Sequence, residues 1–259
     1  TVKGKHPSRF DPAVNPKFRF DRQAAIMTMG SCFAQHLSKW LLGKQFNLLL
    51  REQQGSAGGM FSATYGNVDT VQQALTLLQR AFGQWQANDD VYVGEGGGFF
   101  DPLRPSILAD GFVSKEALLG DRESHHTHVR ELFSSADVLV FTLGLTETWV
   151  RNADGAVLPI APGVVAGDYY SSQYSFHNYS CTEIVEALRE LLSALRAVNP
   201  GCKVLLTVSP VPLAATYEAR QVSVASMASK AILRAAVEAA ITEFEQVDYF
   251  PSFEIFFTP

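Results

Sequence analysis

Cysteine is scarce: Cys32, Cys181 and Cys202 are the only three in 259 residues. So sparse and odd a set supplies no disulfide framework, fits no zinc spacing, and points to a reducing, cytoplasmic setting. Positive charge is short as well, with 21 Lys and Arg against 26 Asp and Glu, a net of −5. The basic residues are scattered, so the chain carries neither the clustered footprint of a nucleic-acid binder nor a membrane-surface patch. No apolar run reaches the roughly 20 residues that span a bilayer. The polar, proline-containing start is not a signal peptide. Gly94-Glu95-Gly96-Gly97-Gly98 leads into Phe99-Phe100-Asp101-Pro102 rather than a helix, which excludes a phosphate loop. No metal and no cofactor is expected. His125, His126 and His128 form the one histidine cluster, and beside Arg122 and Glu123 they read as the solvated face of a polar helix.

What is present is an ordinary globular composition, 47% hydrophobic, long enough for one large domain with a full core. Residues 1–21 read as an extended leader and 22–259 as a single domain. Apolar runs at 24–29, 137–142, 203–208 and 247–250 have the length of buried parallel strands. Helical spacing follows over 33–42, 69–82, 114–133, 182–198 and 222–244. Asp69 and Ser114 are placed as N-caps, and Gly43 as a helix stop. Residues 149–160 form a hairpin around Asn152-Ala153-Asp154-Gly155. The stretches 53–59 and 162–178 read as loops, and 91–100 as a strand with a Gly-rich turn. Alternating strands and helices imply a parallel sheet with helices on its faces. Active sites in such sheets form beyond the strands' carboxyl ends, where loops start at Gly30, Gly144, Ser209 and Pro251.

Ser31 stands at such a corner, after a strand and at the start of a helix. It is either the helix N-cap or a nucleophile favoured by the helix dipole and by its own amide as an oxyanion donor. Cys32 is a second nucleophile candidate, although as the first helical residue its side chain is expected to turn inward. Gly66 and Asn67 offer an amide and a side-chain carboxamide to an oxyanion, or form a simple turn. Gly144, Thr146 and Glu147 put polar groups where a core strand ends. They suit substrate positioning or base catalysis, or the capping of a loop. His177 is the histidine best placed in a loop to activate a serine, with Asn178 beside it and Glu254 exposed at another strand end.

The string Gly30-Ser31-Cys32-Phe33-Ala34 resembles the signature of the GSCFA domain family. So, in order, do Phe61-Ser62-Ala63-Thr64-Tyr65-Gly66-Asn67, Phe141-Thr142-Leu143-Gly144-Leu145-Thr146-Glu147-Thr148-Trp149, Thr207-Val208-Ser209-Pro210-Val211-Pro212-Leu213 and Asp248-Tyr249-Phe250-Pro251-Ser252-Phe253-Glu254-Ile255. The family resembles a branch of the SGNH (GDSL-like) hydrolases. That implies a flavodoxin-like three-layer α/β/α sandwich with a mainly parallel sheet, and Ser31 as nucleophile. The resemblance further implies oxyanion donors at Ser31, Gly66 and a third block, where Thr146 stands in place of the superfamily's Asn and Asn67 is the substitute. It also implies an Asp-x-x-His block late in the chain. None occurs between Phe250 and Pro259, so either the domain is cut short before its base, which then lies beyond Pro259, or another residue serves, with His177 the candidate.

Two functions follow. One is a serine esterase or O-acyltransferase acting on a small-molecule or carbohydrate ester, such as an acetyl ester. The other is an inactive glycan-binding module whose Tyr169, Tyr170, Tyr174 and Phe176 stack on sugar rings. Neither reading involves nucleic acid or membrane, and neither sets an oligomeric state.

Overall fold

A computed structural model describes residues 15–52, 60–88 and 91–257. Residues 1–14 of the expected leader and the loop at 53–59 lie outside them. The elements, in order, are β1 (Ile26–Gly30), α1 (Cys32–Gly43), α2 (Val71–Ala81), β2 (Tyr92–Val93), β3 (Phe99–Phe100), α3 (Lys115–Ser135), β4 (Val138–Leu143), β5 (Glu147–Arg151), β6 (Val157–Leu158), β7 (Tyr174–Asn178), α4 (Cys181–Val198), β8 (Lys203–Val208), α5 (Val222–Glu243), β9 (Val247–Tyr249) and α6 (Ser252–Phe257).

The four expected strands form one parallel sheet in the order β1-β4-β8-β9. Leu48 adds a parallel bridge to Ile26 at the outer edge of β1. Successive side chains on a strand point to opposite faces, and here both faces are covered. On one face Met27, Met29, Leu139, Phe141, Leu143, Leu206 and Val208 pack with the buried stripes of α2, α3, α4 and α5. On the other, Ile26, Val138 and Val140 meet Leu41 of α1, and α6 lies on the same side, where Ser252 Oγ contacts Thr207 Oγ1. All six residues of β4 are buried. Removal of Leu139, Phe141 and Leu143 from water stabilises the fold by roughly 2 kcal/mol each. The result is the three-layer α/β/α sandwich the sequence implies.

A second, antiparallel sheet β6-β5-β7 stands beyond the carboxyl end of β4. Its β5–β6 arm is the expected hairpin. Its third strand corrects the expectation of a loop at 162–178, because Tyr174–Asn178 pairs along the whole of β5. The Gly-rich turn at 94–98 joins the short antiparallel strands β2 and β3.

Two helix assignments also change. The N-cap of α2 is Thr70, not Asp69: Thr70 and Gln73 form a reciprocal capping box. On α3, His125 is fully buried rather than solvated. It packs on the helical stripe of Leu118, Arg122, Val129 and Leu132, and its Nδ1 lies 2.9 Å from the Glu52 carboxylate.

Candidate active site

The β1–α1 corner is shaped by close packing. Gly30 has φ +137°, and a Cβ on it would lie 2.3 Å from the Thr142 carbonyl oxygen, so only glycine fits. Ser31 follows with φ −66° and ψ 175°, the backbone of an N-cap, yet its side chain makes no capping bond. Its hydroxyl is buried and has no hydrogen-bond partner. Buried hydroxyls are ordinarily satisfied, and a serine in this position would normally cap. The Ser31 amide donates to the Thr142 carbonyl at 3.0 Å, so it is committed to the sheet rather than held for an oxyanion. The amides that a helix start leaves without intrahelical acceptors belong here to Cys32 and Phe33. The Cys32 side chain is exposed, contrary to the inward orientation expected for it.

Three loops interlock around this corner. The Val68 amide donates to the Gly30 carbonyl at 2.9 Å, and the Gly144 amide to the Asp69 carbonyl at 2.8 Å. Gly144 has no room for a side chain: a Cβ there would sit 2.4 Å from Asp69 Oδ1 and 3.0 Å from Ser31 Cβ. The Asp69 carboxylate and the Ser31 side chain therefore flank Gly144 at about a methyl's width. From the far side Lys230 of α5, 2% exposed, donates through Nζ to the Gly144 carbonyl. Burial pushes the Asp69 carboxyl up to about 6, opposed by the Lys230 charge. Burial pushes the Lys230 ammonium down to about 8, opposed by Asp69. The sequence reading did not single out Lys230, and it took Asp69 only as a cap.

The other expected site residues are distributed unevenly. Gly66 (φ +71°) has open space around it and lines a cleft of about 350 Å³ with Asn67, Asp69, Gln35, Arg104 and Ser106. Glu147 lines a second cleft of about 270 Å³ with Asp69, Leu145, Trp149, Phe176 and Tyr217. Its carboxylate accepts from the Thr216 hydroxyl and the Tyr217 amide. Both clefts share Asp69, Pro159 and Ile160, so they meet at Asp69. Thr146 is fully buried. Its hydroxyl donates to Asn178 Oδ1 at 2.6 Å, and its amide donates to Ser229 Oγ at 3.0 Å. Thr146 thus fastens β7 and α5 to the β4–β5 loop and offers nothing to a ligand. His177 is not gathered with Ser31. Its Nε2 lies 2.7 Å from Glu183 Oε1, and its ring stands edge-on to Tyr179. Glu254 takes hydrogen bonds from Arg234 and Tyr249.

The aromatic segment is partly committed too. Tyr174 is buried and its hydroxyl accepts from Tyr92 at 3.1 Å, so it cannot stack on a ligand. Phe176 and Tyr169 stand edge-on to Trp149, while Tyr169 and Tyr170 are exposed.

The corner motif, the interlocked blocks and the parallel sheet agree with a family model described as the GSCFA family, which matches residues 25–259. The chain belongs to the GSCFA family. No curated protein matches it. Among solved structures, this GSCFA chain is similar to an acetyl xylan esterase (Est2A) from the rumen bacterium Butyrivibrio proteoclasticus. The identity is 11% and the TM-score 0.32, with 90% of this chain and 56% of that one covered. It therefore spans a little over half the length of that esterase. No helix of the described residues is long and apolar enough to cross a membrane.

Proposed function

We propose that this GSCFA protein is a serine esterase or O-acyltransferase that takes an acyl group from an ester of a hydroxylated, carbohydrate-like alcohol, with Ser31 as the nucleophile. The observation that carries the reading is the Ser31 hydroxyl itself: buried, unpartnered, not capping its helix, and beside the Asp69 carboxylate. Ser31 Oγ bonds to the acyl carbon and the ester's alcohol leaves. The developing oxyanion lies at the start of α1, where free amides and the helix dipole favour negative charge. Asp69 flanks Gly144 together with Ser31, and a carboxyl raised to about 6 suits proton acceptance near neutral pH. It takes the Ser31 proton and returns it to the departing alcohol. Water or a second alcohol then releases the acyl group. The two clefts meeting at Asp69 give the two halves of an ester separate places.

The test is labelling by a fluorophosphonate together with turnover of nitrophenyl acetate, measured on the wild type and on the Ser31→Ala and Cys32→Ala variants. Loss of both signals in Ser31→Ala alone is expected. Labelling and turnover that persist in Ser31→Ala would overturn the assignment.

A further inference from the structure

Behind the polar cleft the fold collects arginine. Arg104 and Arg122 are both buried, and their guanidiniums converge on the buried Asp101 carboxylate at 3.4 and 3.1 Å. These cations, with Arg80 close by, hold the Asp101 carboxyl well below the usual carboxylate range against the opposing effect of its burial. Arg104 places Nε on Asp101 and Nη2 on Asp121, the latter at 2.6 Å. Its Nη1 is buried and has no hydrogen-bond partner. Arg104 also lines two adjoining spaces: the cleft of about 350 Å³ that reaches Asp69, and a recess of about 30 Å³ that Arg80 lines with it. Tyr65, Asn67 and Pro159 belong to both, so the recess adjoins the cleft. Burial and the neighbouring guanidiniums push Arg80 down to about 10 in spite of Asp101.

An unpaired donor on a buried cation is costly, and an anionic acceptor rewards the site strongly. The size of the recess selects the anion. Space on the order of one or two water molecules admits the edge of a planar carboxylate but not a phosphoryl group with three terminal oxygens. In the cleft itself, the Asp69 charge is answered by Lys230. We propose that this recess is a carboxylate subsite, in which Arg104 Nη1, with Arg80 beside it, holds the acidic group of a carboxylate-bearing ester whose acyl linkage lies at Ser31. The substrate assignment rests on the Ser31 reading; the anion binding does not.

The probe is D-glucuronate, with D-glucose as its uncharged counterpart, titrated calorimetrically at pH 7 into the wild type and into Ser31→Ala. Glucuronate is expected to bind at least about tenfold more tightly than glucose in both proteins, the scale of one charge-assisted pair. Arg104→Lys keeps the charge but loses the fork, and Arg80→Met removes the second guanidinium without touching the Asp101 hydrogen bonds. Each is expected to weaken glucuronate about fivefold or more while leaving glucose unchanged. If Arg104→Lys does not fold, Arg80→Met alone decides. Equal affinity for the two sugars, binding of neither, or undiminished glucuronate binding in the folded variants would overturn the subsite. Glucuronate binding without any ester turnover would leave the subsite standing and sink the Ser31 reading. Ser31 labelling without a preference for glucuronate would do the reverse.

Discussion

Lys230 and Asp69 grip Gly144 from opposite sides. The Lys230 ammonium donates to the Gly144 carbonyl, and the Asp69 carbonyl receives the Gly144 amide. The glycine's backbone polarity is thereby spent, and a half-buried carboxylate and a buried ammonium are fixed on either side of the residue that Ser31 packs against. That arrangement separates reactive roles from structural ones, and each role carries its own signature.

Ser31→Ala distinguishes a nucleophile from a cap. Loss of a capping serine costs about 1 kcal/mol. Because the Ser31 hydroxyl is buried and unpaired, its removal is expected to leave the unfolding temperature unchanged or slightly higher while abolishing labelling. A clear drop in thermal stability would show that the side chain caps after all.

Gly144→Ala forces a methyl to within 2.4 Å of Asp69 Oδ1 and 3.0 Å of Ser31 Cβ. Overpacking of this kind typically costs about 1–3 kcal/mol. Urea unfolding should show that loss, and fluorophosphonate labelling of Ser31 should fall with it. Wild-type labelling in the variant would mean that the Asp69–Ser31 spacing is irrelevant to reactivity.

Asp69→Asn should change the pH dependence of stability. The folded chain holds the Asp69 proton up to about pH 6, whereas the carboxyl's ordinary value is 3.8. Between these values the unfolded chain binds fewer protons, so stability falls as pH rises. The contribution present at low pH is gone by about pH 6, a change on the order of 1–3 kcal/mol. The difference in unfolding free energy between the wild type and Asp69→Asn should shift by this amount between pH 4 and pH 7, favouring the wild type at pH 4. Parallel slopes would contradict it.

His125 should stay neutral to an unusually low pH. Burial first, and the neighbouring Arg104 charge second, push it down to about 4, against the attraction of Glu52. From pH 6.5 down to about 4 the unfolded chain takes up a proton that the folded chain refuses, so the contribution of His125 to stability falls as the solution is acidified, opposite in sign to that of Asp69. The His125 ring resonances in an NMR titration should remain in the neutral form at pH 5. A midpoint near 6.5 would refute the burial argument.

The central fold is legible in the sequence because its signal is local. Strands buried on both faces, such as Val138–Leu143, are continuous apolar runs, and Ser114 caps its helix as expected while Thr70 caps one residue beyond the expected Asp69. β7 was hidden because Tyr174–Asn178 mixes aromatic and polar residues, and its strand character comes from pairing with β5. The missed site residue had a signal. Lys230 lies on the helical stripe of Ser226, Ser229, Leu233 and Val237, all buried, so its spacing alone marks a lysine facing inward. Arg122 and His125 obey the same rule on α3. The company of Asp69 was not readable, because it depends on a loop contact with Gly144 from 75 positions further along the chain.

The contact between Gly30 and Thr142 has a consequence for how the five-residue corner varies. Its first position is dictated by a neighbouring strand more than a hundred residues away, and its second by an unshared hydroxyl. In a randomised library screened only for folded protein, glycine would return at position 30 while position 31 drifted among small residues. Under a screen for acyl transfer both would return. The motif is thus two overlapping demands, one architectural and one chemical, written into adjacent letters.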